Sequence, residues 1–185
     1  MRIGAVVLAA GASRRLGSPK QLERLGAETL LERAVRMARE AGCSPIIVVL
    51  GAESAQVMEG CVLGEAVPVI NREWKEGMGS SVRLGVRAAA ALVEGVVVMA
   101  CDQPAVTVEH LQMLMTGYEA KASRYAGRNG VPAFFPARHF DELMALTGDV
   151  GARELIASAE AVELEHGELD VDTVVDLKRA RELFG

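Results

Sequence analysis

Aromatic residues are scarce in this chain: one Trp, two Tyr and four Phe, or 4% of 185 residues. The core must therefore be built from Val, Leu, Ile, Ala and Met in close packing. Cysteine is scarce as well. Cys43, Cys61 and Cys101 are odd in number and widely spaced, which fits neither a disulfide framework nor a zinc spacing. Buried thiols in a reducing compartment are the expected reading. No run approaches the ~18 apolar residues of a membrane-spanning helix. The stretch from Ile3 to Ala12 behind Arg2 has some signal-peptide character, but Arg14 and Arg15 follow it and no small-residue cleavage site does. A basic excess is also missing. Lys and Arg total 20 against 25 Asp and Glu, a net charge of -5, which argues against a general binder of nucleic acid or anionic membrane. The expectation is a soluble cytoplasmic protein with no nucleic-acid and no membrane partner.

What is present fits one globular domain spanning residues 1–185. The length suits a single unit at roughly 150 residues per domain. Short apolar runs alternate with helical patterns. Ile3 to Ala9 is nearly continuous and reads as a strand buried on both faces. From Thr29 the spacing turns helical, with Leu30, Ala34, Ala38 and Ala41 on one face and Gly42 as the stop. Further strands are expected at Ile46–Leu50, Ala66–Ile70 and Gly95–Cys101. Further helices are expected at Glu53–Glu59, after a Ser80 or Ser81 cap, and after a Thr107 cap. Beyond Ala120, Arg124–Gly127 and Val131–Phe135 read as strands around an Arg-Asn-Gly turn. Helices follow at His139–Leu146 and Ala152–Ser158, and Ala161–Leu164 reads as a strand. Thr173 opens a last helix, with Asp176 completing a partial capping box. Strands alternating with helices predict a parallel sheet covered on both faces. Ligands then bind beyond the carboxyl ends of the strands, which directs attention to the loops after Ala9, Leu50, Ile70 and Cys101.

The first of these loops is the most informative. In LAAGASRRLGSPKQL, Leu8 to Leu22, small residues admit a close backbone approach, and Arg14, Arg15 and Lys20 bring three cations into seven residues of an acidic protein. Exposed N–H groups with converging cations make an anion cradle suited to polyphosphate. The alternative is a surface turn with solvated arginines. The spacing matches neither a Walker loop nor a G-x-G-x-x-G fingerprint. Asp102, at the end of the fourth strand, is placed to hold Mg²⁺ carried by nucleotide phosphates, or else to cap the following turn. Asn71, Trp74 and the stretch Gly77-Met78-Gly79-Ser80-Ser81 offer hydrogen bonds and a ring to a base, ribose or phosphate, against a purely capping role for Ser80. Asp170 and Asp172 form a late acidic pair that either completes the metal site or caps the last helix. Asp149 either caps a helix or touches an acceptor. Cys101 reads as a core residue because no base adjoins it. The histidines are scattered, and no catalytic triad is visible.

These motifs resemble the MobA-like nucleotidyltransferases. LAAGASRRLGSPKQL is similar to the signature of that family, and Cys101-Asp102-Gln103-Pro104 is similar to its molybdenum cofactor cytidylyltransferases. So are Gly77–Val86, Gly130–Phe140, Gly148–Arg153 and Asp170–Thr173, in the family's order. The resemblance implies a Rossmann-like three-layer α/β/α sandwich with a mostly parallel central sheet. It divides the chain into a nucleotide-binding half at about 1–105 and an acceptor-binding half at about 106–185. It implies Mg²⁺-dependent transfer of CMP from CTP to the phosphate of molybdenum-molybdopterin, releasing pyrophosphate, with a recipient molybdoenzyme or its chaperone as possible partner. Leu8, Ala9, Ala10 and Gly11 would contact the nucleotide, with Arg14, Asn71, Gly79, Ser80 and Ser81 as further binding candidates. Arg15 and Lys20 would hold the triphosphate. Asp102 would bind Mg²⁺, with Asp172 as a second contact. The double alanine, where guanylyl-transferring relatives tend to carry two glycines, favours CTP. Val174 and Val175 depart from the Pro and acid common in the family. Alternatives are a related transferase using another nucleotide or a sugar-phosphate-type acceptor, a non-catalytic cofactor-delivery protein, and a nicotinamide oxidoreductase that the missing glycine fingerprint disfavours.

Overall fold

The structure, a computed structural model, describes residues 1–148 and 153–185 in full and residues 150–152 as helical backbone. Asp149, a capping or acceptor-contact candidate, lies outside the described residues.

Three apolar runs become the middle of the sheet: β1 (Ile3–Ala9), β4 (Ile46–Leu50) and β6 (Gly95–Ala100). A strand sends alternate side chains to opposite faces. Ala5, Val7, Val48, Leu50, Val97 and Met99 accordingly enter one core, while Val6, Leu8, Ile47, Val49, Val96 and Val98 enter another. Onto the first core pack α1 (Leu30–Glu40), α2 (Ser54–Gly60) and α4 (Val108–Leu114). Onto the second pack α3 (Met78–Ala89), α5 (Phe140–Met144) and α6 (Val150–Ser158). The result is the three-layer α/β/α sandwich.

The remaining strands are β5 (Val67–Ile70), β7 (Lys121–Tyr125), β8 (Arg128–Pro136) and β9 (Glu160–Glu163). The seven-stranded order is β5-β4-β1-β6-β8-β7-β9, and β8 runs against the others. The chain reverses its direction of growth at β1, which pairs with β4 on one side and β6 on the other. The crevice at the carboxyl ends of β1 and β6 is therefore a topological switch point. A small hairpin, β2 (Arg24–Leu25) with β3 (Glu28–Thr29), precedes α1; its Leu25 packs with Leu30, Val171 and the inner face of α7 (Val174–Phe184).

Threonines set the helix starts. The Thr29 and Thr173 side chains accept hydrogen bonds from the N–H groups of Glu32 and Asp176, whose carboxylates return the bond, and Thr107 caps α4. Each such cap contributes about 1 kcal/mol. Gly42 ends α1 with φ 98°.

Two expectations need correcting, and one element was not expected. Neither Ser80 nor Ser81 caps α3: Gly77 occupies that place at φ 113°, and both serines lie buried within the first turn. The hairpin after Ala120 turns at Ala126-Gly127, with φ 48° and 75°, and not at Arg128-Asn129-Gly130, which belongs to β8. Two consecutive positive φ values match the twist of a tight hairpin, and the glycine tolerates one of them at no cost. Finally, the β2–β3 hairpin has no counterpart in the apolar pattern, because two-residue strands are too short to show a period. Among the described residues no helix is long and apolar enough to cross a membrane.

Candidate active site

The loops after β1, β4, β5 and β6 meet at one edge of the sheet. The Ala52 N–H donates to the Ala10 carbonyl at 3.2 Å, the Asn71 N–H to Leu50 at 2.7 Å, and the Cys101 N–H to Leu8 at 3.2 Å. Gly51 permits this convergence. A Cβ there would lie 2.6 Å from the Ala10 carbonyl oxygen and 2.8 Å from the Trp74 Cβ.

The basic loop is held in shape by polar contacts of its own. The buried Gln21 side chain donates from Nε2 to the carbonyls of Ala9 at 2.8 Å and Gly11 at 3.1 Å. Ser13 adopts φ 47°, its Oγ accepts from the Lys20 N–H at 2.9 Å, and its carbonyl accepts from Leu16 and Gly17. The cations are thus carried on a fixed bend. Gln21 escaped the sequence reading: it stands beside Lys20 in the quoted motif, but nothing in the one-dimensional pattern shows that it is buried.

The central feature is a shared cation position. Lys20 Nζ donates to the Asp102 carboxylate and, at 2.9 Å, to Asp172 Oδ1. Arg15 takes the other oxygen of Asp172 at 2.7 Å. Burial opposes the Lys20 charge, but its contacts with Asp102 and Asp172 outweigh burial and hold the ammonium above the ordinary lysine range. Asp102 reaches this point from the tip of β6, and Asp172 from the segment ahead of α7. The Val171 N–H donates to the Asp102 carbonyl at 2.9 Å and fixes the two segments together. Asp170 faces both. Loss of solvent on its protein side, reinforced by the charges of Asp102 and Asp172, pushes it up to about 6, although its outer side is exposed.

Two carboxylates that touch one ammonium nitrogen can also converge on one metal ion. Carboxylate oxygens suit a hard divalent cation such as Mg²⁺. Among the described residues no group of three His, Cys, Asp or Glu surrounds a point. The other ligands would be phosphate oxygens and water, as is usual for Mg²⁺.

A cleft of about 340 Å³ opens over this point, lined by Leu8, Ala9, Ala10, Gly11, Lys20, Trp74, Ser81 and Asp102 among others. Arg14 is exposed on an adjoining hollow with Gly11, Arg15, Lys20 and Asp172. Asn71, Gly79 and Ser80 stand back from the main cleft. Asn71 Nδ2 donates to Ser80 Oγ at 2.8 Å and Ser81 Oγ at 2.9 Å, and Ser80 Oγ donates onward to the Glu73 and Gly77 carbonyls. Gly79 backs onto the carbonyl of Gly148, accepting no side chain there. These residues brace the start of α3 under Trp74. Lys75 Nζ sits 5.5 Å from the centroid of the Trp74 ring.

Cys101 is buried, and burial pushes its thiol well above the usual range, which removes it as a nucleophile. His110 is buried against Ser123 Oγ at 2.7 Å and has no part in the cleft. A second, larger cleft of about 750 Å³ adjoins the first and shares Met78, Ala100 and Asp102 with it. What the geometry can do is hold a polyanion on the β1 loop, against a carboxylate pair, with room for a second molecule on the far side of Asp102.

Comparison with known proteins identifies the family. The chain is 30% identical over 189 residues to the purine catabolism protein PucB of Bacillus subtilis, covering 96% of this chain and 88% of that one. It is 32% identical to the nicotine blue oxidoreductase of Paenarthrobacter nicotinovorans over 94% of both chains. A shorter match, 36% identical over 56% of this chain and 50% of the relative, is to a probable molybdenum cofactor guanylyltransferase of Opitutus terrae. Among solved structures, Rv0371c of Mycobacterium tuberculosis superposes with a TM-score of 0.87 at 34% identity over 98% of both chains, and a manganese complex of Rv0371c with 0.82 at 31% identity over 99% of this chain and 100% of that one. Residues 5–165 match the MobA-like NTP transferase domain, so the chain is a nucleotidyltransferase of the MobA-like family.

Proposed function

We propose that this nucleotidyltransferase transfers CMP from CTP to the phosphate of molybdenum-molybdopterin and releases pyrophosphate. One observation carries most of the weight: Lys20 lies on the carboxylates of Asp102 and Asp172 at the mouth of a cleft floored by the β1 loop. In this reading the triphosphate rests on the N–H groups and cations of the β1 loop, with Lys20 and Arg15 on its charge. Asp102 and Asp172 would hold Mg²⁺, which when bound neutralises phosphate charge. The acceptor occupies the larger cleft, in the second half of the chain, and its phosphate attacks the α-phosphorus in line with departing pyrophosphate. Positioning and charge neutralisation do most of the catalysis in such transfers. No covalent nucleophile is required.

The choice of CTP is supported by Ala9 and Ala10. They line the cleft of about 340 Å³ at positions where guanylyl-transferring relatives tend to carry two glycines. The relative named as a probable molybdenum cofactor guanylyltransferase, matched over 56% of this chain, supports the choice of acceptor. The relative named nicotine blue oxidoreductase, matched over 94% of both chains, favours a second reading in which the same cleft takes a nicotinamide nucleotide.

The deciding experiment incubates the protein with molybdenum-loaded molybdopterin, Mg²⁺ and CTP, GTP or ATP in turn, with product mass and pyrophosphate as readouts. The expected product is the CMP adduct, formed fastest with CTP. Transfer with GTP alone overturns the nucleotide assignment. No pyrophosphate from any of the three, together with oxidation of NADPH in the presence of an electron-accepting heterocycle, overturns the whole reading in favour of the second.

A further inference from the structure

Asp102 follows β6 on a stretch with no regular secondary structure, residues 101–106, all of them buried. The stretch is gripped from three sides. The Asp102 carbonyl accepts from the Val171 N–H at 2.9 Å. The Gln103 side chain donates from Nε2 to the Tyr125 hydroxyl at 3.2 Å. The Pro104 carbonyl accepts from Arg33 Nη2 at 3.1 Å. Three consecutive residues are thus tied to three separate parts of the fold: the segment ahead of α7, strand β7 and helix α1.

The tie from α1 is the one that packing does not explain. Arg33, with Leu30, Ala34 and Met37 of the same helix, lines the seam between α1 and this stretch. Its side chain is only 19% exposed. Nη1 stands 3.7 Å from Glu28, but that carboxylate already accepts two hydrogen bonds from Arg36. Nε is buried and has no hydrogen-bond partner among the described residues. A buried N–H left unpaired is unfavourable and rare. A methionine at this position would fill the seam with no orphaned donor, so stability alone does not account for a guanidinium here. What the guanidinium adds is the bond to Pro104. About 10 Å³ remains open in the seam, around the minimum for one water, so solvent is poorly placed to take over that bond.

We infer that Arg33 is a positioning residue: through the Pro104 carbonyl it holds the stretch that carries Asp102, and so fixes that carboxylate against Lys20. Arg33 acts from behind the site and touches neither substrate. This rests on the part in the reaction proposed above for Asp102. The partner is a carbonyl, so the reach and direction of Nη2 matter more than the charge, and a lysine is not an equivalent replacement.

Three variants of the whole protein test the inference. Arg33→Met keeps the stem and removes the donors. Arg33→Lys keeps a charge beside Glu28, but its ammonium ends short of the Nη2 position. Arg36→Met breaks the other pair on Glu28 and leaves the Pro104 contact alone, so it is the control. In the pyrophosphate assay, kcat is expected to fall at least tenfold in Arg33→Met and at least threefold in Arg33→Lys. The KM for CTP is expected to stay within twofold of the wild type, because Gln21 holds the β1 loop independently. Amide exchange followed by NMR reads the stretch directly. The Val171 N–H, bound to the Asp102 carbonyl, is expected to exchange at least tenfold faster in Arg33→Met and measurably faster in Arg33→Lys. Arg36→Met is expected to match the wild type in both measurements. If Arg33→Met does not fold, Arg33→Lys is read alone. The inference is overturned if a folded Arg33 variant keeps the wild-type kcat or the wild-type Val171 protection, if the KM for CTP rises as far as kcat falls, or if Arg36→Met loses as much. Failure of the transfer reading looks different: the wild type releases no pyrophosphate. Val171 exchange then decides the role of Arg33, with faster exchange in the Arg33 variants supporting it and unchanged protection refuting it.

Discussion

Lys20 and Asp172, 152 positions apart in the chain, lie 2.9 Å apart at Nζ and Oδ1, and the same ammonium also reaches Asp102. Three segments that share no local sequence relationship thus supply one electrostatic centre. Its behaviour on mutation follows from which charge is removed and from what the removal leaves behind.

Replacing Asp102 by Asn keeps the shape of the side chain and leaves Lys20 its bond to Asp172. Stability is therefore expected to change little. Turnover is expected to fall by about 10²–10³, the usual effect of losing one charge-stabilising contact in a transition state. Pyrophosphate release and a thermal melt, measured on the same sample, check both halves. Near-normal release from Asp102→Asn excludes Asp102 from the reaction.

Lys20→Met has a different signature. Asp102 loses its ion-pair partner in a largely buried setting, with side-chain exposures of 16% and 12% for the pair. The expected destabilisation is about 3 kcal/mol, the lower end for breaking a buried pair by removing one member. CTP binding weakens because the loop has lost a cation. At the same time the two carboxylates lose the ammonium that competes for their position. Mn²⁺ titration followed by electron paramagnetic resonance should therefore show tighter metal binding in nucleotide-free Lys20→Met than in the wild type. Equal metal affinity in the two proteins would mean that Lys20 and the metal do not share a position.

Gln21→Leu tests the scaffold beneath the loop. It removes the donor to Ala9 and Gly11 and leaves two carbonyls unpaired. About 1–3 kcal/mol of stability should be lost. Because the β1 loop then loosens, the KM for CTP should rise more than kcat falls. A drop in kcat alone, with KM unchanged, contradicts a positioning role.

One contribution to the pH dependence of stability comes from His110. Burial lowers its pKa below 6.5, so in the folded protein it stays neutral where the unfolded chain begins to take up a proton. At this site the unfolded state binds more protons in that window, so the His110 contribution to stability falls as pH drops below about 6.5, while Asp170, raised to about 6, contributes in the opposite direction. The His110 contribution levels off only below the folded pKa. His110→Gln should flatten this limb of the melting-temperature profile between pH 7 and 5, with little effect on CTP affinity. A profile identical to that of the wild type assigns the acid sensitivity elsewhere.

Much of the fold was legible because strand and helix periods are local. The central strands β1, β4 and β6 are written as continuous apolar runs, and the threonine caps at Thr29, Thr107 and Thr173 precede their helices at fixed offsets. The turn at Ala126-Gly127 was displaced by two residues in the sequence reading because Asn129-Gly130 offers the stronger turn signal. Pairing with β7, which sets Arg124 opposite Asn129 and Ser123 opposite Gly130, claimed that dipeptide for β8. The buried start of α3 was misread for a related reason. Ser80 and Ser81 have capping chemistry, but their hydroxyls are taken by Asn71, nine and ten positions earlier.

By itself, the sequence determined the alternation of strands and helices, the basic bend after β1, and the acid at the end of β6, since each depends on neighbours within a few positions. Only the tertiary structure decided that Asp172 joins Asp102 on Lys20, that Gln21 lies beneath the loop, and that a larger cleft adjoins the first at Asp102. Those relationships arise where the sheet order brings distant loops to one edge, and the pairing energies that set the order are distributed over the whole core.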